Sequence, residues 1–341
     1  MIFTNKTILI TGGTGSLGKQ IVKRLMTGEK GRFKKIIIFS RDEDKHYKMS
    51  LEWRSYAPPS GIFKNDQNLL EFRIGDVRDY TSVLSAMRDA NIVIHAAAMK
   101  QVPLCEYFPL ESVKTNIFGI VNIIRAIKEN DLPIETVVVV STDKACQPVN
   151  TYGMCKAIQE RIAIESNISI DKKNVKVVAV RYGNVMASRG SVIPLFQKQI
   201  LEEGIVTVTY GEMTRFMMSI NDSVDIIFIA IDRASPGEIY IPKIPSARMI
   251  DVVNIMTDGR NVEIKEIGIR PGEKIHESLI SLEESVRTVD EGDYFVITPF
   301  FPELANRSCK QREAKIISSE NFLLSRENLK ELLRVKGHLD F

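Results

Sequence analysis

Tyr152 and Lys156 stand four residues apart in Tyr152-Gly153-Met154-Cys155-Lys156, a spacing that puts both side chains on one face of a helix. A lysine ammonium beside a phenol favours the phenolate and lowers its pKa, so Tyr152 is a candidate to take a proton from an alcohol. Just upstream, Ser141-Thr142-Asp143-Lys144 adds two hydroxyls, a carboxylate and a second amine. Near the start of the chain, Gly12, Gly15 and Gly18 punctuate Thr11-Gly12-Gly13-Thr14-Gly15-Ser16-Leu17-Gly18. Glycines so spaced allow a tight turn, close approach of the backbone to a diphosphate and close packing of helix on strand. A proton acceptor combined with a diphosphate cradle describes redox chemistry at an alcohol carbon, carried by a bound dinucleotide.

Regular elements must hold these groups in register. Short β-branched runs predict strands at Thr7–Ile10, Lys35–Phe39, Leu70–Ile74, Ile92–His95, Thr136–Ser141 and Val175–Arg181. Amphipathic stretches predict helices at Leu17–Leu25, Tyr80–Met87, Glu111–Glu129 and Tyr152–Glu165. Strands that are apolar throughout and separated by helices imply a parallel sheet covered on both faces, hence an α/β, doubly wound, Rossmann-type fold. The glycine turn then falls at the first strand-to-helix junction, where the helix N-terminus offers free N–H groups to phosphates. The Tyr152 helix follows a strand whose carboxyl edge is where such folds bind ligands. Beyond Asn184 the segments shorten and Pro and Gly multiply, which predicts a smaller, mixed C-terminal part. Residues 1–183 are expected to form the dinucleotide domain, with 218–243 returning to it through the helix Asn221–Arg233 and the strand Glu238–Ile241. Residues 184–217 and 244–341 are expected to bind substrate, ending in the helix Arg326–Val335 behind the cap Ser325.

The dinucleotide can be specified further. An acidic residue at the end of the second strand accepts from the ribose 2′-hydroxyl of NAD, about twenty residues past the glycines. Here the sequence reads Ser40-Arg41-Asp42, with Lys45 one turn on. Arg41 and Lys45 suit a 2′-phosphate, which favours NADP, while Asp42 either opposes that choice or caps the next helix. After the third strand, Asp76 and Val77 are placed near the adenine, and the small residues Ala96 and Ala98 after the fourth let the backbone approach the nicotinamide.

Bulk composition removes other classes. At 44% hydrophobic and 26% charged, the 341 residues are globular rather than disordered. A net charge of +3 points to no nucleic acid and no anionic membrane, and no run approaches the roughly 18 apolar residues of a spanning helix. Lys6-Thr7-Ile8-Leu9-Ile10 runs straight into glycines, as a strand does and a signal peptide does not. Cys105, Cys146, Cys155 and Cys309 form no CxxC pair and have no histidine at ligand spacing, so free thiols, no metal site and a cytoplasmic location are expected.

With these motifs in place the sequence resembles the extended short-chain dehydrogenase/reductase family, and within it the inverting UDP-N-acetylglucosamine 4,6-dehydratases. The resemblance is carried by Thr11–Gly18, Phe39–Glu43, His95–Lys100, Ser141–Ala145, Arg181–Val185, Ser188–Val192, Met213–Phe216, Ile241–Ser246 and Ile269–Glu277, so it spans nearly the whole chain. Its sharpest feature is Asp143-Lys144, where the retaining nucleotide-glucose dehydratases carry Asp-Glu. It implies that Gly12, Thr14, Gly15, Ser16, Leu17, Gly18, Ser40, Arg41, Lys45, Asp76, Val77, Ala96, Ala98, Lys100, Ser141 and Thr142 contact NADP together with Tyr152 and Lys156. It also implies that Tyr152 serves oxidation at sugar C4, that a neutral Lys144 removes the C5 proton, and that a protonated Asp143 gives its proton to the departing C6 hydroxyl. Lys100, Asn184, Arg189, Ser191, Val192, Arg248, Arg270 and Glu273 are the residues the resemblance assigns to a UDP-sugar, with arginine forks suited to its diphosphate. Gln101 departs from the histidine often found in the family. The apolar stripes of Glu111–Glu129 and Tyr152–Glu165 imply a homo-oligomer, a dimer or hexamer. The competing readings are a nucleotide-sugar 4-epimerase or 4-keto reductase of the same fold, and an NADP sensor without turnover.

Overall fold

The computed structural model describes residues 1–55, 69–170, 175–186, 191–305, 307, 314–339 and 341. The first half alternates as expected: β1 (Thr7–Thr11), α1 (Ser16–Met26), β2 (Lys35–Ser40), α2 (Glu43–Ser55), β3 (Leu70–Ile74), α3 (Tyr80–Met87), β4 (Ile92–His95). Then come α4 (Val102–Tyr107), α5 (Pro109–Asn116), α6 (Phe118–Glu129), β5 (Thr136–Val140), a single 3-10 turn at Asp143–Ala145, α7 (Thr151–Ser169) and β6 (Lys176–Val180). β1 and β4 are buried at every position, which is why their sequences are unbroken apolar runs rather than alternating ones.

The second half is built of shorter pieces: β7 (Asn184–Val185), α8 (Val192–Lys198), β8 (Ile205–Val208), β9 (Thr214–Met218), α9 (Ile220–Arg233), β10 (Ile239–Pro242), β11 (Ser246–Arg248), α10 (Met249–Met256) and β12 (Glu263–Glu266). It continues with β13 (Ser278–Ile280), α11 (Leu282–Ser285), β14 (Thr288–Asp290), β15 (Tyr294–Ile297), β16 (Ile317–Ser318) and α12 (Arg326–Val335), whose cap is Ser325.

The main sheet has nine strands in the order β14-β15-β10-β6-β5-β4-β1-β2-β3. From β10 to β3 all neighbours are parallel, while β15 runs antiparallel to both β10 and β14. The chain leaves β1 toward β2 and β3, then returns to the other side of β1 with β4. That reversal opens a crevice beyond the carboxyl ends of β1 and β4, at the aligned pair Thr11 and His95. A second, smaller core packs Ile193 and Phe196 of α8, Val206 of β8 and Val252 of α10 with Leu329 and Leu333 of α12.

Three expectations shift. Glu111–Glu129 is two helices, broken at Ile117, because the side chain of Asn116 is turned inward to the backbone of Met99: its amide donates to the Met99 carbonyl at 2.9 Å and its oxygen accepts from the Met99 N–H at 2.9 Å. β14 and β15 lie in the stretch assigned by sequence to the substrate part, yet they extend the main sheet, since Tyr294–Ile297 is buried throughout and registers on β10. α2, which the apolar pattern gave no reason to expect, is polar on nearly every side.

Candidate active site

Beyond β1, Gly12 sits at φ +68°, and a Cβ there would stand 2.9 Å from both the nitrogen and the Cα of Ala97. Only glycine lets the first turn lie so close to the Ala96–Ala98 segment, whose Ala97 N–H donates to Thr11 Oγ1 at 3.2 Å. Gly15 stands at the N-cap of α1 and contributes no side-chain hydrogen bond to it, and Ser16, Leu17 and Gly18 open the helix. Thr14 and Ser40 share a 2.8 Å hydroxyl contact across the turn, and Ser40 also meets His46 Nε2 at 3.0 Å.

The cations beyond β2 are already engaged. Lys45 pairs with Asp42, and Asp42 Oδ1 accepts from the Lys45 N–H at 3.0 Å, so Asp42 caps α2. Arg41, more than half exposed, lies 3.6 Å from Asp76. Asp76 also binds Arg78 at 2.6 Å; burial raises its pKa, but the two arginines and the Arg78 N–H hold it below the usual carboxylate range. It does not cap α3, a task that falls to Asp79. Val77 is buried, and its carbonyl accepts from Asn122 at 2.8 Å.

The catalytic candidates converge at the ends of β5 and β6. Asn150 caps α7, accepting from the Gly153 N–H at 2.8 Å and donating to the Gly272 carbonyl at 2.7 Å. Gly153 lies against the Asp143–Ala145 turn so closely that a Cβ would collide with the Lys144 carbonyl oxygen. The phenol of Tyr152 is thereby held beside Asp143 and Lys144. Burial and Asp143 raise its pKa and Lys144 and Thr142 pull against them, leaving it at about 12.

Lys156 does not face the phenol in the way its spacing suggests. Its Nζ donates to the Val140 carbonyl at 2.8 Å and to Gln159 Oε1 at 2.7 Å, and burial lowers its pKa to about 8. The ammonium acting on Tyr152 belongs to Lys144. Around Lys156, the buried Ser141 Oγ, His95 Nε2 and Gln159 Nε2 have no hydrogen-bond partner among the described residues.

Asp143 is wholly buried. Its Oδ1 accepts from Thr142 Oγ1 at 3.0 Å and Lys144 Nζ at 3.1 Å, and its Oδ2 has no hydrogen-bond partner among the described residues. Burial raises its pKa against the pull of Lys144, and Glu277 adds to the rise. Lys144 reaches Glu277 Oε1 at 3.2 Å and Asn184 Oδ1 at 3.4 Å. Burial disfavours the Lys144 charge, but the two carboxylates outweigh it and raise its pKa. Both carboxylates thus favour the ammonium form of Lys144, whereas the step the resemblance implies uses its neutral amine.

Sequence reasoning missed Glu277, Lys274 and Arg215, which complete this cluster. Lys274 Nζ lies 3.8 Å from Glu277 and donates to the Cys146 carbonyl at 2.7 Å. Arg215 is buried and donates to the carbonyls of Thr214 and Ile275 at 2.7 and 3.0 Å. All three lie in runs already singled out for resemblance, but no spacing links them to Asp143.

The other expected residues fall around this centre unevenly. Glu273 Oε2 and Ser191 Oγ are buried without hydrogen-bond partners among the described residues, and Ser191 precedes α8, whose first residue is Val192. Lys100 is exposed overall, with partial burial of its amine lowering its pKa. Arg248 turns outward to Asp251 at 3.0 Å, and Arg270 is exposed. Arg189 and Cys309 lie outside the described residues. Cys105, Cys146 and Cys155 are buried and unpaired. Among the described residues no acidic, histidine or cysteine group could hold a metal ion, and no helix is long and apolar enough to cross a membrane.

Residues 8–299 match a family described as polysaccharide biosynthesis protein. The chain belongs to this family. Proteins similar to this chain carry different names. An inverting UDP-N-acetylglucosamine 4,6-dehydratase of Campylobacter jejuni is 40% identical, over 99% of this chain and 99% of its own. A protein of Rickettsia bellii named UDP-glucose 4-epimerase is also 40% identical, over 100% of this chain and 98% of its own. Among solved structures, Pen from Bacillus thuringiensis superposes with a TM-score of 0.89 at 36% identity, covering 99% of this chain and 100% of that one.

Proposed function

We propose that the chain is an inverting UDP-N-acetylglucosamine 4,6-dehydratase that works with NADP. The observation that carries this reading is the buried contact of Asp143 and Lys144, 3.1 Å apart, beside the phenol of Tyr152. An epimerase needs one group to move the proton of the C4 hydroxyl. A dehydratase needs in addition a base for C5 and an acid for the C6 hydroxyl, and this site supplies an amine and a carboxyl held toward its protonated form. NADP would supply the hydride acceptor for C4 and the donor for C6. The glycine-capped start of α1 suits its diphosphate, and the unpartnered polar atoms around Lys156 suit its nicotinamide ribose. Asp42 is committed to capping α2, which removes the acid an NAD ribose would want and leaves Arg41 as the cation for a 2′-phosphate.

In this reading Tyr152 takes the C4 hydroxyl proton and Lys156 holds the cofactor ribose. The C4 ketone acidifies C5, Lys144 removes the C5 proton once it has lost its own, and Asp143 protonates the leaving hydroxyl. The nucleotide sugar is assigned to Asn184, Ser191 and Glu273 with Lys100, Arg248 and Arg270, and Arg189 keeps the role the resemblance gives it; residues 184–217 with 244–287 and 314–341, which share the second core, are the part proposed to bind it. The exposed apolar side chains Leu104, Tyr107, Phe108, Leu110, Met154 and Ile158 on α4, α5 and α7 support a homodimer through these helices. Unpaired buried thiols accord with the cytoplasm.

The test is incubation with UDP-N-acetylglucosamine and catalytic NADP+. The expected product is lighter by one water and, by NMR in D2O, inverted at C5 with solvent deuterium there. A product of unchanged mass with the 4-epimer configuration would overturn the dehydratase reading in favour of the epimerase one.

A further inference from the structure

Glu277 is the one carboxylate of the cluster to which the proposed chemistry gives no task. It is 2% exposed and stands immediately before β13. Its backbone is pinned from both sides by one residue: its N–H donates to Ser319 Oγ at 3.0 Å, and the Ser319 N–H donates to its carbonyl at 2.8 Å. Its side chain reaches Lys144 Nζ at 3.2 Å, almost the distance at which Asp143 does so, and its Oε2 has no hydrogen-bond partner among the described residues. Lys144 is faced by Asp143 from its own turn, Tyr152 from α7, Asn184 from β7, Arg215 from β9 and Glu277, which Lys274 faces in turn.

Two carboxylates about one ammonium solve a specific difficulty. Asp143 must carry a proton to release the C6 hydroxyl as water, and a protonated Asp143 no longer holds an ammonium by charge. A second carboxylate keeps Lys144 in place while Asp143 is neutral, and its like charge favours that neutral form. We propose that Glu277 is the positioning residue of the elimination step, fixing Lys144 in the site and setting the pH at which its amine becomes free to take the C5 proton. The inference rests on the dehydratase reading and deepens it.

The experiment uses the full chain with UDP-N-acetylglucosamine and NADP+ in D2O across the neutral and alkaline range. Deuterium entry at C5 reports Lys144, and absorbance of enzyme-bound NADPH reports C4 oxidation. In the wild type the ratio of the two is expected to climb with pH to a midpoint. Glu277→Gln removes an opposite charge from the ammonium, so the amine is freed more easily and the midpoint moves down by about 1–3 pH units. Glu277→Asp moves it in the same direction by less, and decides the matter alone if the glutamine variant does not fold. A C5 rate that falls with an unmoved midpoint in these variants assigns Glu277 to structure only and overturns the inference. No C5 exchange in the wild type overturns the dehydratase reading and this inference with it.

Discussion

Arg181→Met keeps most of the length and the apolar stem of the side chain while deleting its guanidinium. That group is fully enclosed. Nε and Nη2 donate to Glu160 at 3.0 and 2.6 Å, Nη1 and Nη2 each donate to Glu284 at 2.8 Å, and Nη1 also donates to the Leu279 carbonyl at 2.8 Å. The arginine thus ties β6 to α7 and α11. Without it, two buried carboxylates face each other with no cation between them. Removing one partner of a buried ion pair costs about 3–5 kcal/mol. A second route gives a similar size. Burial alone would push the Glu284 carboxyl up from 4.5, but Arg181 above all holds it down to about 2. That difference corresponds to about 3 kcal/mol. Because this pKa is depressed in the folded chain, the stabilisation is present above pH 4.5 and is lost as the pH falls toward 2. Urea unfolding at neutral pH, followed by far-UV circular dichroism, is the assay. With a slope of about 3 kcal/mol/M the midpoint should fall by about 1–1.7 M. A fall below about 0.3 M, near 1 kcal/mol, would refute the claim that the triad binds the halves together.

Tyr152→Phe should slow C4 oxidation by about 10²–10⁴-fold in a single turnover read at the NADPH absorbance, with UDP-sugar binding retained; a loss under tenfold would place the proton acceptor elsewhere. Arg41→Ser removes a charge-assisted contact of about 1.5–3 kcal/mol, so calorimetry should show NADP binding weakened roughly 10–100-fold and NAD binding little changed; equal losses would refute a 2′-phosphate role. His95 is wholly buried, and burial, aided by Lys156, lowers its pKa from 6.5 to about 3. The unfolded chain therefore takes up a proton there that the folded chain refuses, and stability falls as the pH drops below 6.5 toward 3. At about pH 5 the loss is about 2 kcal/mol, and His95→Gln should narrow the difference in urea stability between pH 5 and pH 7 by that amount. An unchanged difference would mean that another group carries the acid sensitivity.

The strands of the first half could be read from residue types alone because a parallel sheet buried on both faces leaves few polar letters in it. β3 and β4 fall where the apolar runs do, and β1, β2, β5 and β6 differ by a residue at an end. Periodicity could not show the break at Ile117, which comes from Asn116 reaching Met99, seventeen positions back along the chain. Nor could it show α2, whose sequence has little apolar face to display. Asp143, Lys144 and Tyr152 were legible as neighbours because one turn and one helix start carry all three. Glu277 and Arg215 were not, since only the folding of β9 and of the segment before β13 brings them to Lys144. Helical spacing likewise offered Lys156 as partner of the phenol, but it could not show that its amine also donates to the Val140 carbonyl and to Gln159.

The missing side chain at Gly153 also bears on how such enzymes can diversify. The helix start and the Asp143–Ala145 turn touch through that position, so the group that handles the alcohol proton and the two groups that handle dehydration are set in one block. A randomised library spanning 141–156, selected for turnover, should return glycine at 153 as reliably as tyrosine at 152. Exchange of Asp143 and Lys144 for other letters leaves that backbone contact intact while changing the charges that act on the phenol, so reaction outcome can change by two substitutions on an untouched backbone. A larger residue at 153 would separate the two halves of the machinery and close that route.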